Sequence, residues 1–375
     1  MVVWPDPPFF DNFVGHDLIE IDARGAGRSD GAATCPALDS YNGELNTARL
    51  SPAASAAAKE CIAKSATDTV PLATILDHSV LAADVVAVRQ ALGIDKWMMW
   101  TSYGHADIAM HILKGDAAAV TAYIARDPNA VGAGVSASTL ADTFDRFAAD
   151  CAKSPKCAAN GDMKVLLSKA LDRLKTPVTT KTVDKATGTP IMLDALAIQS
   201  GVRTALFADT LVPILPGLIA GLATGDADEL VAGYYAGRAA GDEAVGLATN
   251  CQTTGYGFPS LTAPSGDHPG LFAGYSNKRF CDAIGPVPQI APPPKIASDI
   301  PVLVLLSRYE PRSSEAVAKL VFAGFSHVTF VTAAGVNAAN LKVPCFTKVT
   351  SAFANAPTTP VDTSCMSGTD GNIFT

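Results

Sequence analysis

Charged side chains are scarce in this chain. Asp, Glu, Lys and Arg make up 17% of its 375 residues, against 48% hydrophobic residues. That balance excludes a disordered chain and suits a globular protein long enough to bury a full core. Positive charge is scarcest: 28 Lys and Arg stand against 36 Asp and Glu, for a net charge of −8. Phosphate binding needs a basic face and none is visible, so a nucleic-acid partner is excluded. Long apolar runs are missing too. The most apolar stretch, Leu211 to Ala223, is interrupted by Pro213 and Pro216. It falls short of the roughly 20 residues of a membrane span and reads as one or two buried helices. No internal repeat is visible. No signal peptide opens the chain, so any export signal has been removed or was never present.

Cysteine is present in an even count of eight, in four neighbouring couples: Cys35 with Cys61, Cys151 with Cys157, Cys251 with Cys281, and Cys345 with Cys365. Local disulfides and an oxidising compartment are expected, which makes the protein secreted or periplasmic. The alternative is eight scattered buried thiols. No C-x-x-C pair occurs and no histidine stands at ligand spacing from a cysteine. Neither zinc nor another metal or cofactor is therefore expected.

The first third alternates strand-like and helix-like segments. His16 to Asp22 is a short apolar run ended by the Gly-rich turn "ARGAGRSDG". Asp77 to Leu92 has apolar residues at helical spacing, with Asp77 as N-cap and Gly93 as C-cap. Trp97 to Thr101 reads as a strand, Tyr103 to Leu113 as a helix and Val120 to Ile124 as a strand. The middle is mostly helical, with a polar loop from Thr179 to Pro190 and a Gly/Pro/Ser-rich stretch from Thr253 to Gly270. Strand and helix return late: Pro301 to Ser307, Ser313 to Phe322, His327 to Ala333 and Lys342 to Ala354. This order predicts an α/β fold with a mostly parallel sheet flanked by helices. Its core covers residues 1–135 and 287–375, and residues 136–286 form a helical cap insertion.

"WTSYGH", residues 100 to 105, stands between a predicted strand and helix. A nucleophile elbow puts serine on such a strained turn in a G-x-S-x-G setting, and the residue after it donates an oxyanion-hole N–H. Ser102 is the candidate nucleophile, with Tyr103 and Gly104 after it and Trp100 where a small residue belongs. Together with "DARGAGRSD" (Asp22 to Asp30) and "DVVAVRQALGIDKW" (Asp84 to Trp97), this stretch resembles the proline-iminopeptidase-like α/β-hydrolases, most closely the tripeptidyl-aminopeptidase-like group of secreted enzymes. Also similar are a cysteine-bearing cap, "PVLVLLSRYEP" at the acid strand, and a final cysteine pair. The resemblance covers nearly the whole chain. It implies an α/β-hydrolase core with a helical cap, and a Ser, Asp and His site acting on peptide N-termini, esters or amides.

Residue by residue the match is mixed. Ser102 aligns with the nucleophile, Tyr103 with the oxyanion donor, and Glu310 falls where the family usually has Asp. The histidine should follow the last strand, but Val336 or Asn337 occupies that position. The Gly-rich oxyanion loop has its only counterpart in "VVWPDPPFF" (Val2 to Phe10), and the family's two leading strands have none. Among other histidines, His327 opens the last strand, roughly 20 Å from its catalytic end, and is excluded. His105, on the first helical turn after Ser102, and His268, in the cap loop "SGDHPG", remain as substitute bases. His16, His78 and His111 read as structural, and Asp127 in "ARDPN" as an alternative acid or a turn former.

Losing a triad member typically costs about four to six decades in rate. A lost oxyanion donor costs about two to three more. Two functions are therefore carried forward. One is a divergent serine hydrolase cleaving ester or peptide N-terminal amide bonds through Ser102, with an unconventional or impaired triad. The other is a non-catalytic α/β-hydrolase-like protein that binds a small ligand or partner in its cleft. The expected partner of the first is a small-molecule or peptide substrate.

Overall fold

Asp77, in extended backbone, accepts the N–H of Ser79 at 2.8 Å and so caps the helix that begins one residue later. That cap opens the longest continuous stretch of the computed structural model, which describes residues 13–24, 28–29, 56, 59–60, 77–129, 137–183, 190–207, 211–226, 292–311, 313–333, 344–368 and 374. The capped helix, His78–Ala91 (α1), ends before Gly93, whose φ of +67° is the left-handed conformation that glycine adopts without strain. Trp97–Ser102 (β1) follows, then a 3₁₀ turn at Tyr103–His105, Ala106–Asp116 (α2) and Val120–Arg126 (β2). Next come Ala137–Lys153 (α3), Pro155–Ala158 (α4), Met163–Arg173 (α5), Val178–Val183 (β3), Pro190–Leu193 (β4), Ala195–Phe207 (α6) and Leu215–Thr224 (α7). The last elements are Val302–Ser307 (β5), Glu315–Val321 (α8), Val328–Ala333 (β6) and Pro344–Asn355 (α9).

Two compact units result. One comprises Met1–Ala32, Ala66–Gly134 and Pro288–Gly371; the other Ala33–Ser65, Val135–Val287 and Asn372–Thr375. In the first, four parallel strands are ordered β1-β2-β5-β6, an α/β arrangement. The register sets Ser102 opposite Arg126, Arg126 opposite Leu305, and Ser307 opposite Ala333, so all four strands finish at one edge. β5 is buried along its whole length, and its side chains alternate between two packed layers. Val302, Val304 and Leu306 join Tyr123 and residues of α2 and α8, including Met110 and Ala318. Leu303 and Leu305 join Ile124, Phe13 and the α9 residues Phe346, Val349 and Phe353. Each fully buried aliphatic side chain contributes about 1.5–3 kcal/mol, so this double-sided burial is the main term holding the sheet.

Side-chain pairs tie the segment before α1 to α1, and α1 to α2. Arg24 donates to Asp84 on α1 at 2.6 Å, Asp22 accepts the Arg28 N–H at 2.9 Å, and Arg89 pairs with Asp116 at 2.8 Å. Cys151–Cys157 and Cys345–Cys365 are disulfides. Cys35, Cys61, Cys251 and Cys281 lie outside the described residues.

Two readings of the sequence need correction. His16 to Asp22 has no regular structure beyond the turn that ends at His16. The polar loop from Thr179 to Pro190 starts and ends in an antiparallel pair, β3 with β4. The Thr- and Val-rich "VTTKTV" favours extended backbone, although its polarity disguises it. The apolar run after Leu211 is one helix, α7, with Pro216 in the first turn where its missing N–H costs nothing. No helix among the described residues is long and apolar enough to cross a membrane.

Non-reduced peptide mapping should return Cys151 linked to Cys157 and Cys345 to Cys365. Between α8 and β6, Gly324 accepts the Ser298 N–H at 3.1 Å, and a Cβ there would overlap the Ile296 carbonyl, which is backbone and cannot swing aside. Gly324→Ala should therefore lower stability by about 1–3 kcal/mol, read as a drop in the urea midpoint.

Candidate functional site

Ser102 is the last residue of β1 and keeps extended backbone, φ −130° and ψ 145°. Its hydroxyl has no hydrogen-bond partner among the described residues. The bend comes one residue later than the elbow pattern places it: Tyr103 has φ +54°. A bulky residue in that region stores about 1–3 kcal/mol of strain. The Tyr103 ring is buried under the Arg126 guanidinium, 5.1 Å from its centroid, and its carbonyl accepts the Asn129 N–H at 3.4 Å. Gly104 lets the loop after β2 come close, since a Cβ there would meet Asn129 Oδ1 at 3.4 Å.

His105 Nδ1 lies 2.9 Å from the Ser102 carbonyl. A carbonyl only accepts, so Nδ1 carries the proton and Nε2 keeps the lone pair. Part of His105 is open to solvent, yet the protein packed around it, and then the Arg126 charge, lower its proton affinity against the raising effect of that bond. The imidazole is thus bonded to the backbone of Ser102 and not to its hydroxyl. Trp100 packs edge-on against Phe13 with ring centroids 5.4 Å apart. The segment proposed as the oxyanion counterpart, Val2 to Phe10, lies outside the described residues, as do His268, Val336 and Asn337.

The acid side is built across two strands. Asp127 follows β2 with φ +43° and is fully buried. Its carboxylate accepts the Ser307 N–H and the Ser307 hydroxyl, each at 2.6 Å, and its own N–H donates to the Leu305 carbonyl at 2.7 Å. Glu310, three residues beyond β5, is also buried, and its N–H donates to the Ser307 carbonyl at 3.4 Å. Ser313 closes the corner by donating to the Pro128 carbonyl at 2.8 Å. Burial, and then the neighbouring Glu310 charge, push the Asp127 carboxyl up to about 7, against the Ser307 bonds and the Arg126 charge. Near neutrality the Asp127 carboxyl is therefore protonated in a large part of the molecules.

Ser102, Tyr103, His105 and Glu310 thus lie at the same end of the sheet, on strands separated by β2, while His327 stands at the start of β6, where its carbonyl accepts the Val302 N–H. The sequence pattern overlooks two participants, Arg126 and the Asp127 clamp. A signal exists: two opposite charges directly after a buried parallel strand, at the edge where α/β sheets bind ligands. No group of three His, Cys, Asp or Glu side chains among the described residues is arranged to hold a metal. No family model matches the chain, and no curated protein matches it.

The Asp127 carboxyl makes stability depend on pH. Its folded value is raised above the ordinary 3.9 or so, so its contribution is complete in acid and is lost as pH rises toward and through about 7. Urea midpoints should fall between pH 5 and pH 8 by the equivalent of at least about 1 kcal/mol. Asp127→Asn, whose amide still accepts from Ser307 N and donates to its hydroxyl, should flatten that slope. An unchanged slope would assign the pH dependence elsewhere.

Proposed function

We propose that the chain is a divergent relative of the α/β-hydrolases, with a core over residues 1–135 and 287–375 and a cap over 136–286. In this reading its sheet edge binds a small ligand, and Ser102 gives little or no hydrolytic turnover. The observation that carries it is the bend: Ser102 sits in ordinary extended backbone with a hydroxyl that has no partner among the described residues, while the left-handed residue is Tyr103. A nucleophile must be lifted onto the bend and handed to a base. The fold relationship is supported by the parallel order that brings Ser102, Glu310 and the end of β6 to one edge, as the resemblance implies. The two disulfides support a secreted or periplasmic location.

A second reading keeps Ser102 as the nucleophile of a weak esterase or aminopeptidase. It is favoured by His105, whose free Nε2 and lowered proton affinity suit a base, and by the buried acid at Glu310. Fluorophosphonate labelling separates the two, because it requires an activated serine. No labelling above the Ser102→Ala background is expected, and p-nitrophenyl ester turnover should change less than about twofold in that variant, where an assembled triad would lose about four decades or more. Strong labelling that disappears in Ser102→Ala would establish the second reading instead.

A further inference from the structure

Arg126 ends β2 directly opposite Ser102, and it is 8% exposed. Its Nε is buried without a hydrogen-bond partner, and no carboxylate among the described residues forms an ion pair with the guanidinium. Asp127, the adjacent acid, is the obvious counterion, yet both of its oxygens are committed to Ser307. A buried charge without a partner is among the costliest features a fold can keep. Stacking on Tyr103 orients the guanidinium plane without neutralising it.

A second observation points to the same corner. The turn at Tyr103–His105 and the 11-residue α2 behind it are capped by no side chain, since neither Ser102 nor His105 makes a cap hydrogen bond. Asp107 in the first turn faces His78, 3.7 Å away. The start of α2 and the guanidinium therefore lie at the same end of the sheet, the guanidinium 5.1 Å from the ring of Tyr103, which opens the turn leading into α2.

We propose that Arg126 anchors a carboxylate-binding subsite at this edge, holding a small monoanionic organic acid through its planar fork beside Ser102. The proposal rests on the binding reading above and names the ligand class. A carboxylate matches the guanidinium in two parallel hydrogen bonds. A phosphate dianion fits less well, because Asp127, adjacent to Arg126, and Glu310 beyond it oppose each added negative charge.

The test is thermal unfolding of the full chain in sodium acetate, sodium phosphate, sodium chloride and acetamide at fixed pH and ionic strength. Acetate about tenfold above its Kd should raise the midpoint by roughly 2–4 °C over chloride, with phosphate giving less and acetamide nothing. Arg126→Gln should abolish the acetate response and, in chloride, melt at or above the wild-type temperature, because it removes an unpartnered buried charge. In the unaltered chain labelled with ¹⁵N-arginine, one Nε–H signal should move with acetate and stay fixed with acetamide. No acetate response, an equal response in Arg126→Gln, phosphate matching acetate, or marked destabilisation of Arg126→Gln in chloride would each overturn the proposal. Fluorophosphonate labelling reads Ser102 and not Arg126, so this subsite and the inert-serine reading can fail separately.

Discussion

The candidate edge depends on one buried carboxylate. Parallel strands end without hairpins, so nothing in the ladder itself fixes how β2 and β5 finish relative to each other. Asp127 supplies that constraint, taking two hydrogen bonds of 2.6 Å from Ser307 and giving its own N–H to Leu305. Hydrogen bonds of this length are at the short end of their class, and they bridge 180 residues of chain. Once they are made, Arg126 before the clamp and Asn129 after it have defined places, and Asn129 in turn ties the Tyr103 carbonyl. The bend after β1 and the acid corner after β5 are thus positioned by one side chain.

The clamp also explains why an arginine and an aspartate adjacent in sequence form no direct ion pair. Successive residues leaving a strand point to opposite sides, and the left-handed backbone at Asp127 turns its carboxylate into β5. Arg126 is left facing β1, where it finds the Tyr103 ring. Asp127 is further weakened as a counterion because burial and Glu310 hold a proton near it. The corner therefore separates its groups: the Asp127 carboxyl bonded to Ser307 on one side, and on the other a guanidinium that no described carboxylate pairs with directly.

What was legible in the sequence is what rests on local periodicity. The cap at Asp77, the turn at Gly93 and the alternation that buries β5 on both faces are each written within a few residues. The strand pair at Val178 and Pro190 was not legible, because its residues are polar and only their β-branching hints at extension. Asp127 was read as an alternative acid or a turn former, and the turn is real, with φ +43°, but the partner of its carboxyl lies 180 residues away. The place of the bend escaped for another reason. An elbow motif assigns the left-handed residue to serine by analogy, and no composition rule marks a tyrosine that will carry it instead.

That shift of one residue links the two halves of the proposed reading. Left-handed backbone at Ser102 would have thrust a hydroxyl out of the edge. At Tyr103 the same conformation leaves the serine in the ladder and turns a large ring beneath Arg126. The strain of about 1–3 kcal/mol is then offset in part by a cation–π contact worth about 0.5–2 kcal/mol in a desolvated setting. One backbone conformation thus keeps Ser102 in the ladder and orients a guanidinium. A nucleophile needs a base and an oxyanion donor to be useful; an oriented cation in a dry corner needs only an anion. In the proposed reading, the backbone conformation that leaves Ser102 without a described base also sets the guanidinium against the Tyr103 ring, so both features follow from one bend.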